Sequence, residues 1–291
     1  MNPFKIFFMA IRPKTLAAAI APVMLGTGMA GGDGVFHIPS AALCLAAALL
    51  IQIGTNLAND YFDYKKGADT AERVGPARVT QAGLVSPAAM LIAIIFTFGL
   101  ALAAAVPLII RGGQPILIIA VLSILSGILY TAGPFPLGYL GLGELFVLIF
   151  FGPVAVAGTY YVQSLEINSA IVLAGLGPGF LSAAILAVNN LRDTETDRKS
   201  GKMTLAARFG PGFARAEYLT FIVLAILVPV LIFLLIHDHE EILFSTSAIL
   251  PAIALIHLVY TSQGKRLNSA LGLTGVLLLV YSFVFSIGWI A

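Results

Sequence analysis

Two short clusters of oxygen-bearing side chains are the residues of this chain best suited to do chemistry. Asn59, Asp60 and Asp63 fall at i, i+1 and i+4, and Asp193 and Asp197 at i and i+4. Residues four apart share one face of a helix. Each cluster would therefore aim its oxygens one way if the helix carrying it ran that far. Such hard donors suit Mg²⁺, which takes one or two carboxylates and completes its shell from water and substrate phosphates. No His or Cys stands near either cluster, which argues against zinc. Lys65, Lys66, Arg73, Arg78, Arg192, Arg198, Lys199 and Lys202 are interspersed with the acids. That mixture suits a metal–diphosphate headgroup, because cations and basic side chains stabilise the negative charge that builds on a departing diphosphate.

The clusters belong to a repeat. Residues 56–67 set against 190–201 (190 − 56 = 134) give Asn56/Asn190, Leu57/Leu191, Asp63/Asp197, Lys65/Lys199 and Gly67/Gly201 as identities, with Asn59/Asp193 nearly isosteric. An offset of 133 pairs Asn56 with Asn189 and Asp60 with Asp193 and loses the rest. One Asp beside a helix end would be an ordinary solvated residue; a duplicated motif is harder to explain that way.

The elements that must position these residues follow from composition. The chain is 59% hydrophobic and only 10% charged, against roughly 25% charged in a soluble domain, so its exterior must face lipid. Nine apolar runs near 14–31, 39–58, 87–110, 114–131, 140–162, 169–190, 215–236, 244–262 and 268–290 approach the ~20 residues a spanning helix needs. Helices are required because lipid offers the backbone no partner. Pro22 and the Gly175–Gly179 stretch read as kinks and close packing. Fifteen of the sixteen basic residues fall in the N-terminal segment and in alternate connections, and only Arg111 falls opposite, on the side of the acidic stretch 237–241. The positive-inside rule then puts the N-terminus in the cytoplasm and, after nine crossings, Ala291 outside.

The expected fold is an all-α polytopic membrane protein, with nine transmembrane helices bundled around a central cavity. A single domain covers 1–291, with parallel four-helix repeats at about 14–131 and 140–262 and a ninth helix at about 268–290. Cys44, the single cysteine, excludes an intrachain disulfide. No cleavable signal is apparent, so the first run reads as a retained helix and the plasma (inner) membrane as the location. Glu144 would line the cavity or pair, Glu166 lies in an outer loop, and His257 is open between packing and function.

These residues resemble the UbiA superfamily of intramembrane aromatic prenyltransferases, whose members carry Asn-Asp-x-x-Asp and Asp-x-x-x-Asp motifs. Here the motifs read Asn59-Asp60-Tyr61-Phe62-Asp63 and Asp193-Thr194-Glu195-Thr196-Asp197. The similarity runs over nearly the whole chain. The blocks at 12–16, 59–69, 75–83, 130–134 and 189–202 look like the branch that prenylates 1,4-dihydroxy-2-naphthoate in menaquinone biosynthesis. Gly67 and Asp69 separate it from the 4-hydroxybenzoate branch, and the connection 131–143 lacks the basic residues that branch carries there.

The resemblance implies Mg²⁺-assisted ionisation of a polyprenyl diphosphate, attack by the naphthoate ring, and loss of carbon dioxide and a proton to give demethylmenaquinol. It implies Asn59, Asp60, Asp63, Asp193 and Asp197 as metal ligands, with Asp63, Asp193 and Asp197 catalytic. Arg12, Lys65, Arg78, Lys199 and Lys202 would bind diphosphate, and Arg12 and Lys14 stand where diphosphate or the naphthoate acid would enter. The general base stays open, with Asp193 one candidate. The bilayer is the expected surrounding, with no nucleic acid and no obligate protein partner. Rival readings are another acceptor (4-hydroxybenzoate, homogentisate), a phytyl donor, or a cation-coupled transporter. The transporter is disfavoured because its usual signature is an inverted repeat with ligands at the midplane.

Overall fold

The computed structural model describes residues 2–68 and 74–291; Asp69 and Arg73 lie outside the described residues. All regular structure among the described residues is helical, as expected where backbone groups must be satisfied within the segment that carries them. A short α1 (Pro3–Ile11) precedes α2 (Pro13–Gly32), α3 (Ile38–Lys65) and α4 (Pro87–Gly112). Then follow α5 (Gln114–Leu129), α6 (Gly143–Ser164), α7 (Ser169–Lys199), α8 (Pro211–Ile236), α9 (Glu240–Thr261) and α10 (Gly264–Ile290). Eight of them are long and apolar enough to cross a membrane, so the chain is a multi-pass membrane protein. Helix α5 has 16 residues, about 24 Å at 1.5 Å per residue. Its two ends stand at opposite ends of the bundle: Ile116 packs with Leu108 and Val162, and Thr131, just past its far end, bonds Asn59.

Helices α3 and α7 outrun their predicted spans by several residues and carry both acidic clusters on helix. Both stop at a glycine in the left-handed region, Gly67 (φ 66°) and Gly201 (φ 76°), a conformation that costs glycine nothing. The closing bonds match at an offset of 134: Gly67 N–H donates to Tyr64 O as Gly201 N–H does to Arg198 O, and Ala68 to Asp63 O as Lys202 to Asp197 O. Helix α1 was not predicted. Its nine residues are too few for a span, and they bury Ala10 and Ile11 while Phe4, Phe7 and Phe8 stay exposed.

The predicted glycine kinks are found where α6 meets α7. A Cβ on Gly175 would lie 2.7 Å from Pro153 N, and one on Gly179 2.6 Å from Leu148 O, so these two backbones touch. Helix α10 lies equally close to α2, with Gly28 against Ser286 and Gly32 against Trp289.

One end of the bundle is tied shut. Asp33 accepts from Tyr160 Oη–H at 2.6 Å and from Trp289 Nε1–H at 2.8 Å, joining α2, α6 and α10. Arg111 donates to Val162 O at 2.7 Å and to Gln163 O at 3.0 Å, joining α4 to α6. None of these residues lines the central cavity. The acidic clusters lie at the other end.

Candidate active site

Helical periodicity decides which clustered residues face inward. Asn56, Asn59 and Asp63, at i, i+3 and i+7, line a cavity of about 310 Å³ enclosed mainly by α2–α7. Around its mouth stand Arg12, Arg78, Thr131, Asn189 and Lys202, whereas Ile51, Leu108, Ile116, Ile119 and Phe150 wall its depth. This is the shape of an amphiphile, with a charged head at the mouth and a hydrocarbon body below.

Asp63 is the centre of the mouth and is only 3% exposed. Its Oδ2 takes a charge-assisted bond from Arg78 NH2 at 3.0 Å, and its Oδ1 accepts from Tyr139 Oη–H at 3.0 Å. Asn59 Oδ1 accepts from Thr131 Oγ1–H at 2.9 Å. Arg12 donates to Asn56 O at 3.3 Å, with its own backbone held at φ 53° and ψ 72°. For a residue with a Cβ that conformation is uncommon, and such residues concentrate at functional sites.

Asp60 does not share this face. Its position, one residue after Asn59, turns it about 100° away, and its two oxygens accept from Val79 N–H at 3.0 Å and Thr80 N–H at 3.1 Å. It thereby fixes the segment that delivers Arg78. Asp193 is likewise engaged outside the cavity lining, clasped by its neighbour Arg192 through Nε at 2.9 Å and NH2 at 2.5 Å. The same guanidinium donates to Asn189 Oδ1 at 2.8 Å and Asn268 Oδ1 at 2.7 Å. Asp197 is buried, with Lys202 Nζ 3.8 Å from its Oδ1. Lys65 and Lys199 are exposed and off the cavity; Lys65 lies 5.1 Å over the Tyr61 ring.

Tyr139, which carries no charge and no periodic signal, links the two clusters. Its ring sits between Lys66 Nζ, 4.7 Å from the centroid, and Lys202 Nζ, at 6.0 Å, while its hydroxyl holds Asp63. The connection from α5 to α6 that bears it is fastened on both sides. Lys66 donates to Thr131 O at 2.7 Å, Met203 N–H to Tyr139 O at 3.2 Å, and Arg208 to Leu140 O at 3.0 Å. Partial burial lowers the pKa of Lys66 from the usual lysine value, and Asp63 opposes that shift. Of the remaining acids, Glu144 is buried and bonded to Asn190 Nδ2 at 2.6 Å, and Glu166 is exposed. His257 is exposed on α9 and lines no part of the cavity.

Among the described residues, no three His, Cys, Asp or Glu side chains gather closely enough to hold a metal ion alone. The donors that face the mouth, Asn59 and Asp63, with Asp197 beyond Tyr139, are hard oxygens. They fit a cation that draws the rest of its shell from a phosphate.

Compared with known proteins, the chain matches the model of the UbiA prenyltransferase family over residues 19–271. It is 40% identical over 237 residues to the 1,4-dihydroxy-2-naphthoate octaprenyltransferase of Escherichia coli (strain K12), covering 79% of this chain and 77% of that protein. It is 39% identical over 223 residues to the protein of the same name from Haemophilus influenzae, covering 71% and 70%. Its fold is similar to that of a UbiA homologue from Archaeoglobus fulgidus bound to DMAPP and Mg²⁺, with a TM-score of 0.68 at 19% identity over 97% of this chain and 99% of that one.

Proposed function

The chain belongs to the UbiA prenyltransferase family, and from that premise we propose that it transfers a polyprenyl group from an allylic diphosphate to 1,4-dihydroxy-2-naphthoate with loss of carbon dioxide. The observation that carries this reading is the joined mouth, in which Arg78, Asp63, Tyr139, Lys202 and Asp197 form one chain of contacts above an apolar cavity. The identity to naphthoate prenyltransferases supports the choice of acceptor.

Asn59, Asp63 and Asp197 would hold Mg²⁺, which when bound supplies a Lewis acid against the charge of the departing diphosphate. Asp60 acts through the Val79–Thr80 backbone by positioning Arg78, and Asp193 acts by orienting Arg192. Arg12, Arg78 and Lys202 grip the diphosphate at the mouth. Lys65 and Lys199 add positive potential to the approach, where it raises the local concentration of an anionic substrate. The apolar walls keep water from the allylic cation until the naphthoate ring attacks it.

In our reading α5 makes the ninth crossing, the two motif-bearing halves are parallel repeats of a single domain, and the mouth opens to the cytoplasm from the plasma membrane. The one-sided distribution of basic residues supports that orientation.

The test is an acceptor panel: membranes carrying the protein receive a polyprenyl diphosphate, Mg²⁺ and, in turn, 1,4-dihydroxy-2-naphthoate, 4-hydroxybenzoate and homogentisate. Turnover of the naphthoate alone, abolished by a chelator, is expected. Good turnover of another acid with none of the naphthoate would overturn the acceptor assignment.

A further inference from the structure

Below its charged mouth the cavity is not uniformly hydrocarbon. Gln52, Ser123 and Ser182 line it from α3, α5 and α7, with Gln52 only 8% and Ser182 only 2% exposed. The Ser182 hydroxyl is buried without a hydrogen-bond partner, and among the described residues neither the Gln52 amide nor the Ser123 hydroxyl has one. Elsewhere in the bundle Thr97 and Ser286 return their hydroxyls to the carbonyl four residues back, the usual resort of such a side chain inside a helix. Leaving a buried polar group unpaired is costly, and native interiors keep few of them.

The three stand at nearly one depth. Helices α3 and α5 run side by side in register: Thr131 bonds Asn59, and four residues back on each a Cβ on Gly127 would collide with Thr55 Oγ1. Gln52 lies seven residues before Asn59, Ser123 eight before Thr131, and Ser182 seven before Asn189, the α7 residue at the mouth. At 1.5 Å per residue each is about 10–12 Å below the mouth. The cations of the lining, Arg12, Arg78 and Lys202, are all above them.

This tier does not suit the donor. A hydrocarbon tail would leave its polar atoms unpaired, and the diphosphate is drawn to the cations above. Uncharged amide and hydroxyl groups suit a ligand hydroxyl, which offers one proton and two lone pairs, enough for three side chains. An aromatic acid that keeps its carboxylate toward the cations turns the hydroxyl remote from that carboxylate downward. We propose that Gln52, Ser123 and Ser182 form the acceptor subsite and hold this remote hydroxyl, which in 1,4-dihydroxy-2-naphthoate is the one at position 4. The inference rests on the acceptor reading above, to which it adds the residues that read the ring.

The test removes the hydroxyl from the ligand and its partners from the protein. Binding of 1,4-dihydroxy-2-naphthoate and of 1-hydroxy-2-naphthoate, which lacks the 4-hydroxyl, is measured by equilibrium dialysis on the purified full-length protein. The unsubstituted protein is expected to bind the dihydroxy acid about tenfold more tightly or better. Gln52→Leu, and the double variant Ser123→Ala with Ser182→Ala, are each expected to cut that preference at least about threefold, with affinity for the monohydroxy acid and KM for the prenyl diphosphate held within about twofold. Gln52→Leu deletes a group that is unpaired in the ligand-free protein, so its thermal unfolding in detergent should not move downward. Equal losses for both acids, or an undiminished preference in both variants, would overturn the subsite. So would equal binding of the two acids by the unsubstituted protein, whether or not the variants fold. Turnover of another acid with none of the naphthoate would instead sink the acceptor reading itself.

Discussion

Asp63 answers two demands with one carboxylate: it faces the cavity, and it neutralises Arg78 in a pair whose side chains are 4% and 6% exposed. Removing one partner of a buried pair costs about 3–5 kcal/mol because the other charge is left uncompensated. The Asp197–Lys202 contact is longer, at 3.8 Å, and more exposed. Asp63→Ala and Asp197→Asn are therefore expected each to lower prenyl transfer about 100-fold or more. Thermal unfolding in detergent should separate them, with a clear fall for Asp63→Ala and little change for Asp197→Asn. Full activity in either variant would remove that residue from the site. Tyr139→Phe keeps the ring between Lys66 and Lys202 but drops the bond to Asp63. Hydrogen bonds to charged groups contribute about 1.5–3 kcal/mol, so KM for the diphosphate should rise about tenfold with a smaller change in kcat. Spacing put Asn59 and Asp63 on one helix face in the sequence, because residues four apart share a face, and both do line the cavity, whereas Asp193 and Asp197, at the same spacing, do not. It could not show that Asp60 caps Val79 and Thr80 or that Asp193 is clasped by Arg192, since those partners are set by tertiary contact. Tyr139 left no trace, being one aromatic residue in a connection with neither period nor charge.

At the scale of elements, the apolar runs were readable because lipid enforces a minimum length, and their predicted positions track the helices within a few residues. The ends were less readable. Hydropathy stops at the membrane edge, whereas α3 and α7 continue until Gly67 and Gly201 turn the chain. Glycine and proline announced close packing in 175–179 without saying against what. The partner is α6, where a Cβ on Gly179 would lie 2.6 Å from the Leu148 carbonyl oxygen, a backbone atom that cannot rotate aside. Gly179→Leu should therefore exceed the usual ~1–3 kcal/mol of overpacking. The check is loss of folded protein after membrane extraction, and Gly99→Leu in α4, where nothing lies within 4 Å of an added Cβ, serves as the tolerated control.

At the scale of the whole molecule, the contacts of Asp33 with Tyr160 and Trp289, and of Arg111 with Val162 and Gln163, stopper one end of the bundle. Among the described residues, every charged group that lines the cavity stands at the other end. In the proposed reading, a charged headgroup and an acidic bicyclic acceptor then share one doorway. The consequence is temporal. In the proposed reading, a diphosphate gripped by Arg78 and Lys202 blocks the way behind it, so an acceptor arriving second meets an occupied entrance, while one arriving first waits inside. Initial-rate measurements are expected to show a compulsory order, acceptor before donor, with excess donor slowing the reaction by trapping enzyme that has not yet loaded its acceptor. Random-order kinetics without such self-inhibition would mean that a second entrance opens during turnover.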